Sequence, residues 1–129
     1  MSLVRRDVAT RTSVTRQVGP VTIATDTNTD GTAIDLADYP GWKVLLIGSV
    51  GTRTDGTFTY KLQSSADGST SWTDETAVDG AVTAISAANT TRVAAYSPSR
   101  PYIRIRLTST STSSGALVAG YVVLLPPDA

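Results

Sequence analysis

Residues 57–65 read Thr57-Phe58-Thr59-Tyr60-Lys61-Leu62-Gln63-Ser64-Ser65. Phe58, Tyr60 and Leu62 alternate with Thr59, Lys61 and Gln63, the period-two pattern of a strand with one buried face. Ala66-Asp67-Gly68-Ser69 follows and supplies a turn, because Asp tolerates and Gly readily adopts positive φ. Thr70-Ser71-Trp72-Thr73 then resumes the chain. A second stretch, Tyr102-Ile103-Arg104-Ile105-Arg106-Leu107-Thr108, alternates as cleanly. It sets Ile103, Ile105 and Leu107 on one face, and Arg104 and Arg106 on the other. These are the marks of a β-structural or binding module rather than an enzyme.

Working outward, Val18 to Ala24 reads as a first strand, with Pro20 placing it at an edge or near a strand start. Residues 26–31 read as a loop, Ala33 to Leu36 as a short strand, and Tyr39-Pro40-Gly41 as a turn. Trp42 to Val50 is a strand whose continuous Val44–Ile47 run predicts burial on both faces. Residues 51–56 read as a hairpin-type connection. Val82–Ile85 and Arg92–Tyr96 read as short strands, with residues 84–88 open to a helical turn instead. Residues 110–115, a Ser/Thr/Gly run, read as a flexible hairpin loop. Leu117 to Leu125 is the last strand, ended by Pro126-Pro127 because proline cannot donate to the ladder. The expectation is an all-β chain: a jelly-roll-like antiparallel β-sandwich of about eight strands with an extended N-terminal arm. Residues 1–17 form a flexible basic arm in this reading, and residues 18–129 a single β-sandwich domain.

Composition narrows the chemistry. The chain has 129 residues and neither Cys nor His. That length suits one domain, and the missing residue types exclude a disulfide framework and Ser-His-Asp or Cys-His catalysis within one chain. Net charge is zero but polarised: Arg5, Arg6, Arg11 and Arg16 crowd the start, nine acidic residues occupy 17–90, and Arg92, Arg100, Arg104 and Arg106 follow. Such polarity favours an oriented contact with a charged surface. The zero balance argues against a dedicated nucleic-acid binder. Met1-Ser2-Leu3-Val4-Arg5-Arg6 lacks the apolar region of a signal peptide, and Ala116–Leu125 is too short and glycine-interrupted to span a bilayer as a helix. No membrane association and no cofactor are expected.

Several residues invite sharper readings. Asp26-Thr27-Asn28-Thr29-Asp30-Gly31 matches the start of a calcium loop, but the twelfth position is Ala37 where a bidentate Glu is needed, so a solvated turn is the expectation. Asp74 and Glu75 are adjacent, and neighbours on a strand point to opposite faces, which argues against joint acid–base work. Lys43 and Lys61 lack any nucleophile motif and read as outward strand residues. Tyr102, Arg104 and Arg106 form a stripe suited to an acidic surface, or to cross-strand salt bridges with the acidic middle, which is the favoured reading. Trp42 and Trp72 suit sugar stacking or rim packing. The last strand is apolar on both sides: Leu117, Ala119, Tyr121, Val123 and Leu125 on one, Val118, Val122 and Leu124 on the other. A two-layer sandwich buries only one face of each sheet, so the second apolar face calls for cover by an arm, a second subunit or a docking partner, with Val118, Val122 and Leu124 the candidates for self-association.

Four segments carry a resemblance: Asp30–Leu36, Asp55–Ser64, Asp67–Thr73 and Arg100–Thr108. Together they resemble the small head decoration (auxiliary or minor capsid) proteins of tailed bacteriophages over roughly residues 20–125. The resemblance implies a β-sandwich on the outer surface of the virion capsid, bound to the major capsid protein, reinforcing the shell, homo-oligomeric with a trimer favoured, and without catalytic residues. On that reading Val4, Arg5, Arg6 and Arg11 are the candidate capsid contacts. Tyr60–Trp72 and Tyr102–Thr108 also look like discoidin-type galactose-binding jelly rolls, which implies glycan binding. A phage tail or baseplate β-module is a further alternative.

Overall fold

The computed structural model describes residues 12–82 and 84–127. Ten strands run through them: β1 (Ser13–Ile23), β2 (Thr27–Asp30), β3 (Ile34–Asp35), β4 (Lys43–Arg53), β5 (Thr57–Ser65), β6 (Thr73–Asp74), β7 (Asp79–Gly80), β8 (Thr90–Tyr96), β9 (Tyr102–Thr110) and β10 (Ala116–Leu125). They make two antiparallel sheets. The first has the order β1-β10-β4-β8-β7; the second has β2-β9-β5-β6, with β3 also on β9. Without the two-residue β3 and β7, the eight remaining strands run 1-10-4-8 against 2-9-5-6, the strand order of a jelly roll.

The alternation in β5 and β9 does what it predicts. Phe58, Tyr60 and Leu62 pair beside Ile103, Ile105 and Leu107, and all six are buried. Facing them from the first sheet are Val44, Leu46, Val50, Val118, Val122 and Leu124. Tyr60 needs extra room, and two paired glycines provide it. Gly48 lies opposite Gly120 in the β4–β10 ladder, and a Cβ at Gly48 would sit 2.5 Å from the Tyr60 ring. The ring passes over this gap, and its hydroxyl donates to the Ser49 carbonyl at 2.6 Å, with the Ala119 carbonyl 3.1 Å away. Burial pushes the Tyr60 hydroxyl up to about 12.

Residues 13–17, read from sequence as part of an arm, lie in a strand. β1 begins at Ser13, and the register slips between Arg16 and Val18, so Gln17 and Val18 are both buried. This extra residue breaks the alternation, which is why Ser13–Gln17 does not read as strand. The other differences have similar causes. Thr27–Asp30 is an edge strand with four polar side chains, so composition alone reads it as loop. Residues 51–56 and 110–115 are not hairpins, because β4 and β5, like β9 and β10, lie in different sheets. Ile85 forms an isolated bridge to Phe58, and residues 84–88 are not helical. In the Val44–Ile47 run only Val44 and Leu46 enter the core, while Leu45 and Ile47 are half-buried on the outside.

Candidate functional site

The outer face of the β1-β10-β4-β8-β7 sheet carries exposed apolar side chains. Direct cross-strand pairs place Val14, Val123, Leu45, Ala95 and Asp79 in one row across all five strands. The next row is Arg16, Tyr121, Ile47 and Val93. A third holds Ala119, Ser49 and Thr91. Val14 is 62% exposed, Val93 47% and Leu117 41%. Contiguous apolar surface of this kind marks an interaction site more often than it marks idle surface.

This arrangement corrects the assignment of the self-association residues. Val118, Val122 and Leu124 are each 1% exposed or less and face the second sheet across the core. They have no surface to offer a partner. The opposite side of β10, with Leu117, Ala119 and Tyr121, carries the outward apolar groups. Alternation alone gives two apolar faces for this strand, and only the position of the other sheet decides between them. Val4, Arg5, Arg6 and Arg11 lie outside the described residues.

The outer face of the second sheet is polar and internally paired. Arg106 donates to both oxygens of Asp30, at 2.7 and 3.0 Å. Arg104 lies 3.6 Å from Asp30, donates to Gln63 at 3.0 Å, and sits 4.2 Å above the Trp72 ring. Gln63 donates to Asp74, which also pairs with Lys61 at 3.3 Å. The Arg106 hydrogen bond holds the Asp30 carboxyl below its ordinary value, and the Gln63 hydrogen bond does the same for Asp74. The arginine stripe is therefore engaged by Asp30, and Trp72 is covered by a guanidinium.

The other singled-out residues are spent on architecture. Asp26 accepts from the Thr112 amide, Asn28 from Thr108 and Asp30 from Arg106, so three oxygens of the calcium-like motif point to three different neighbours. Among the described residues, no group of three or more acidic side chains gathers where it could hold a metal. Glu75 accepts from the Ser64 and Ser99 hydroxyls, away from the Asp74 contacts. Lys43 is at the exposed start of β4.

Two carboxylates organise turns, Asp67 within the turn its sequence announces and Asp55 across to a distant loop that no local pattern signals. Asp55 accepts from the amides of Ser113, Ser114 and Gly115 and from the Ser113 hydroxyl, tying the β9–β10 connection to the β4–β5 turn. Asp67 accepts from the Thr70 hydroxyl and amide and from the Ser69 amide. These bonds, led by the Ser113 hydroxyl on Asp55 and the Thr70 hydroxyl on Asp67, hold both carboxyls far below the usual range.

One cleft, of about 240 Å³, opens at the end of the sandwich beside Leu36, Tyr39, Trp42, Pro98 and Arg100. Tyr39 and Trp42 meet edge to face at 4.9 Å. No protein-family model and no curated protein matches the chain.

Proposed function

We propose that this chain is a structural virion protein that binds the outside of a tailed-phage capsid, contacts the major capsid protein and stabilises the shell. The observation that carries the reading is a two-sheet body whose first sheet turns Val14, Val93 and Leu117 outward, exposed among the described residues. That is the build of a subunit that works in an assembly. The segments behind the decoration-protein resemblance also form one physical unit. Asp30, Ile34 and Asp35 pair with β9, β5 pairs with β9, and Gly68 lies against the Tyr102 ring. They are a shared framework rather than a reaction centre.

The mechanism is mechanical. A protein that binds the assembled shell but not its dispersed subunits shifts the equilibrium toward the shell by mass action. The basic segment with Val4, Arg5, Arg6 and Arg11 supplies charge for an acidic capsid surface. The test is shell stability: heads carrying the chain should survive heating, or loss of divalent cations, better than heads without it. Equal survival at full occupancy would remove the stabilising role.

The Trp42 cleft favours a second reading, a glycan-binding module, because an aromatic pair beside Arg100 can stack on and hydrogen-bond a sugar ring. A thermal shift on a glycan panel that Trp42→Ala abolishes would support it.

A further inference from the structure

We infer that the outer face of the β1-β10-β4-β8-β7 sheet is the docking surface for a second copy of this chain, packed face to face about a two-fold axis along β4. This goes beyond shell binding and stands or falls without it.

The face is self-complementary. Its two outer strands carry opposite charges: Arg16 projects at the β1 edge and Asp79 at the β7 edge, both exposed. Among the described residues neither has an ion-pair partner. The strands between them present half-buried Tyr121, Leu45, Ile47 and Ala95 and exposed Val93. β4 is the middle strand of five. A two-fold axis parallel to it reverses the strand order of the second copy, so β1 of each lies over β7 of the other and β10 over β8. Tyr121 then faces Val93 of the second copy, and Ile47 meets its own equivalent near the axis. Arg16 and Asp79 fall one same-face step apart along the strands, roughly 6.8 Å, which an arginine side chain spans. Lys43, beyond the apolar rows, marks one margin of the contact.

Size agrees with this occupant. The twelve outward positions of the three rows, each roughly 4.8 by 6.8 Å, outline on the order of 400 Å² in projection. Side-chain relief raises the accessible area above that, toward the roughly 800 Å² per partner of a standard interface. Two such faces stack as sheets do, about 10 Å apart with strands nearly aligned. The pair has two-fold symmetry, unlike the trimer that the resemblance favours.

Sedimentation equilibrium of the full chain up to about 200 µM tests this, a range that detects a micromolar complex. The expected result is a dimer. Ile47→Glu and Val93→Glu, both on the outer face, should raise Kd by roughly 100-fold or more by leaving a carboxylate in an apolar contact, with circular dichroism and melting temperature confirming the fold. Arg16→Glu and Asp79→Arg should each weaken the dimer roughly tenfold, and the double swap should restore it to within about threefold. A monomer throughout, a trimer, a dimer indifferent to both glutamate variants, or a chain that dimerises only once residues 1–11 are removed would each overturn the inference. The last result would place that segment on the face.

Discussion

Gln17 accepts the backbone N–H of Ile105 at 2.9 Å, across 88 positions of sequence. β2 ends at Asp30, opposite Arg106, and β3 begins at Ile34, opposite Ile103. Between them β9 lacks a strand partner for the Ile105 N–H, and the Gln17 amide fills that place. The same amide donates to the Thr32 carbonyl at 2.8 Å. Gly31 is needed beside it, because a Cβ there would sit 1.9 Å from the Gln17 oxygen. One side chain thus joins the edge of one sheet to the gap in the other.

Gln17→Met keeps the volume and removes both bonds. It should cost about 1–3 kcal/mol, since the buried Ile105 N–H loses its partner while the exposed Thr32 carbonyl can turn to water. Gln17→Glu keeps the acceptor for Ile105 but loses the donor to Thr32 and adds buried charge, so it should fare no better. Urea unfolding curves with unchanged slope would read the difference; a cost under about 0.5 kcal/mol for Met would show the bridge to be idle.

Tyr60 and Gly48 form the second clamp. Tyr60→Phe should cost about 1 kcal/mol, the ordinary net value of a hydrogen bond. Gly48→Ala should cost more, about 2–3 kcal/mol, because the new methyl overlaps the ring and neither sheet can withdraw. Thermal melts of both variants order the two effects. Equal losses would mean that the hydroxyl rather than the fit matters.

Acid should loosen the turns before it unfolds the core. Asp55 and Asp67 both titrate below their ordinary 3.8 when folded. A depressed folded pKa adds stability that is complete above the unfolded value and is lost as pH falls through the folded one. Stability should therefore be nearly level from about pH 7 to pH 5 and decline below about pH 4. Asp55→Asn should shrink that decline, and hydrogen exchange at Ser113, Ser114 and Gly115 should speed up. A decline centred near neutrality would contradict these assignments.

Much of this was legible in the residues, for physical reasons. β9 and the Thr57–Leu62 part of β5 alternate regularly, β10 is a long apolar run, and Pro20 indeed lies on an edge strand. What escaped was non-local. The slip at Gln17 turns one polar residue inward and hides the start of β1. Thr27–Asp30 has no apolar face, so its pairing with β9 leaves no periodicity. The buried side of β10 depends on which sheet covers it, and two apolar sides give alternation nothing to decide. Asp55 meets Ser113–Gly115 only after β4 and β10 have paired, so its anion-binding turn leaves no local motif. The Arg104–Arg106 stripe was readable as a salt-bridged face because acids of the middle region were at hand; that its partner is Asp30 needed the strand order.

The basic segment gives a sharp test of where shell binding resides. Because β1 starts at Ser13, residues 2–11 can be removed without cutting the sheet. Deleting residues 2–11 should leave melting within about 3 °C and weaken shell affinity roughly tenfold or more, with a reduced dependence on salt. Undiminished binding would transfer the contact to the sandwich.

The most direct measurement is co-sedimentation of the purified chain with mature phage heads that lack it, alongside immature shells. Saturable binding to mature heads, at a copy number matching a repeating site on the shell lattice, is the predicted result. A folded chain that leaves both kinds of shell bare would contradict the capsid reading and turn attention to the Trp42 cleft.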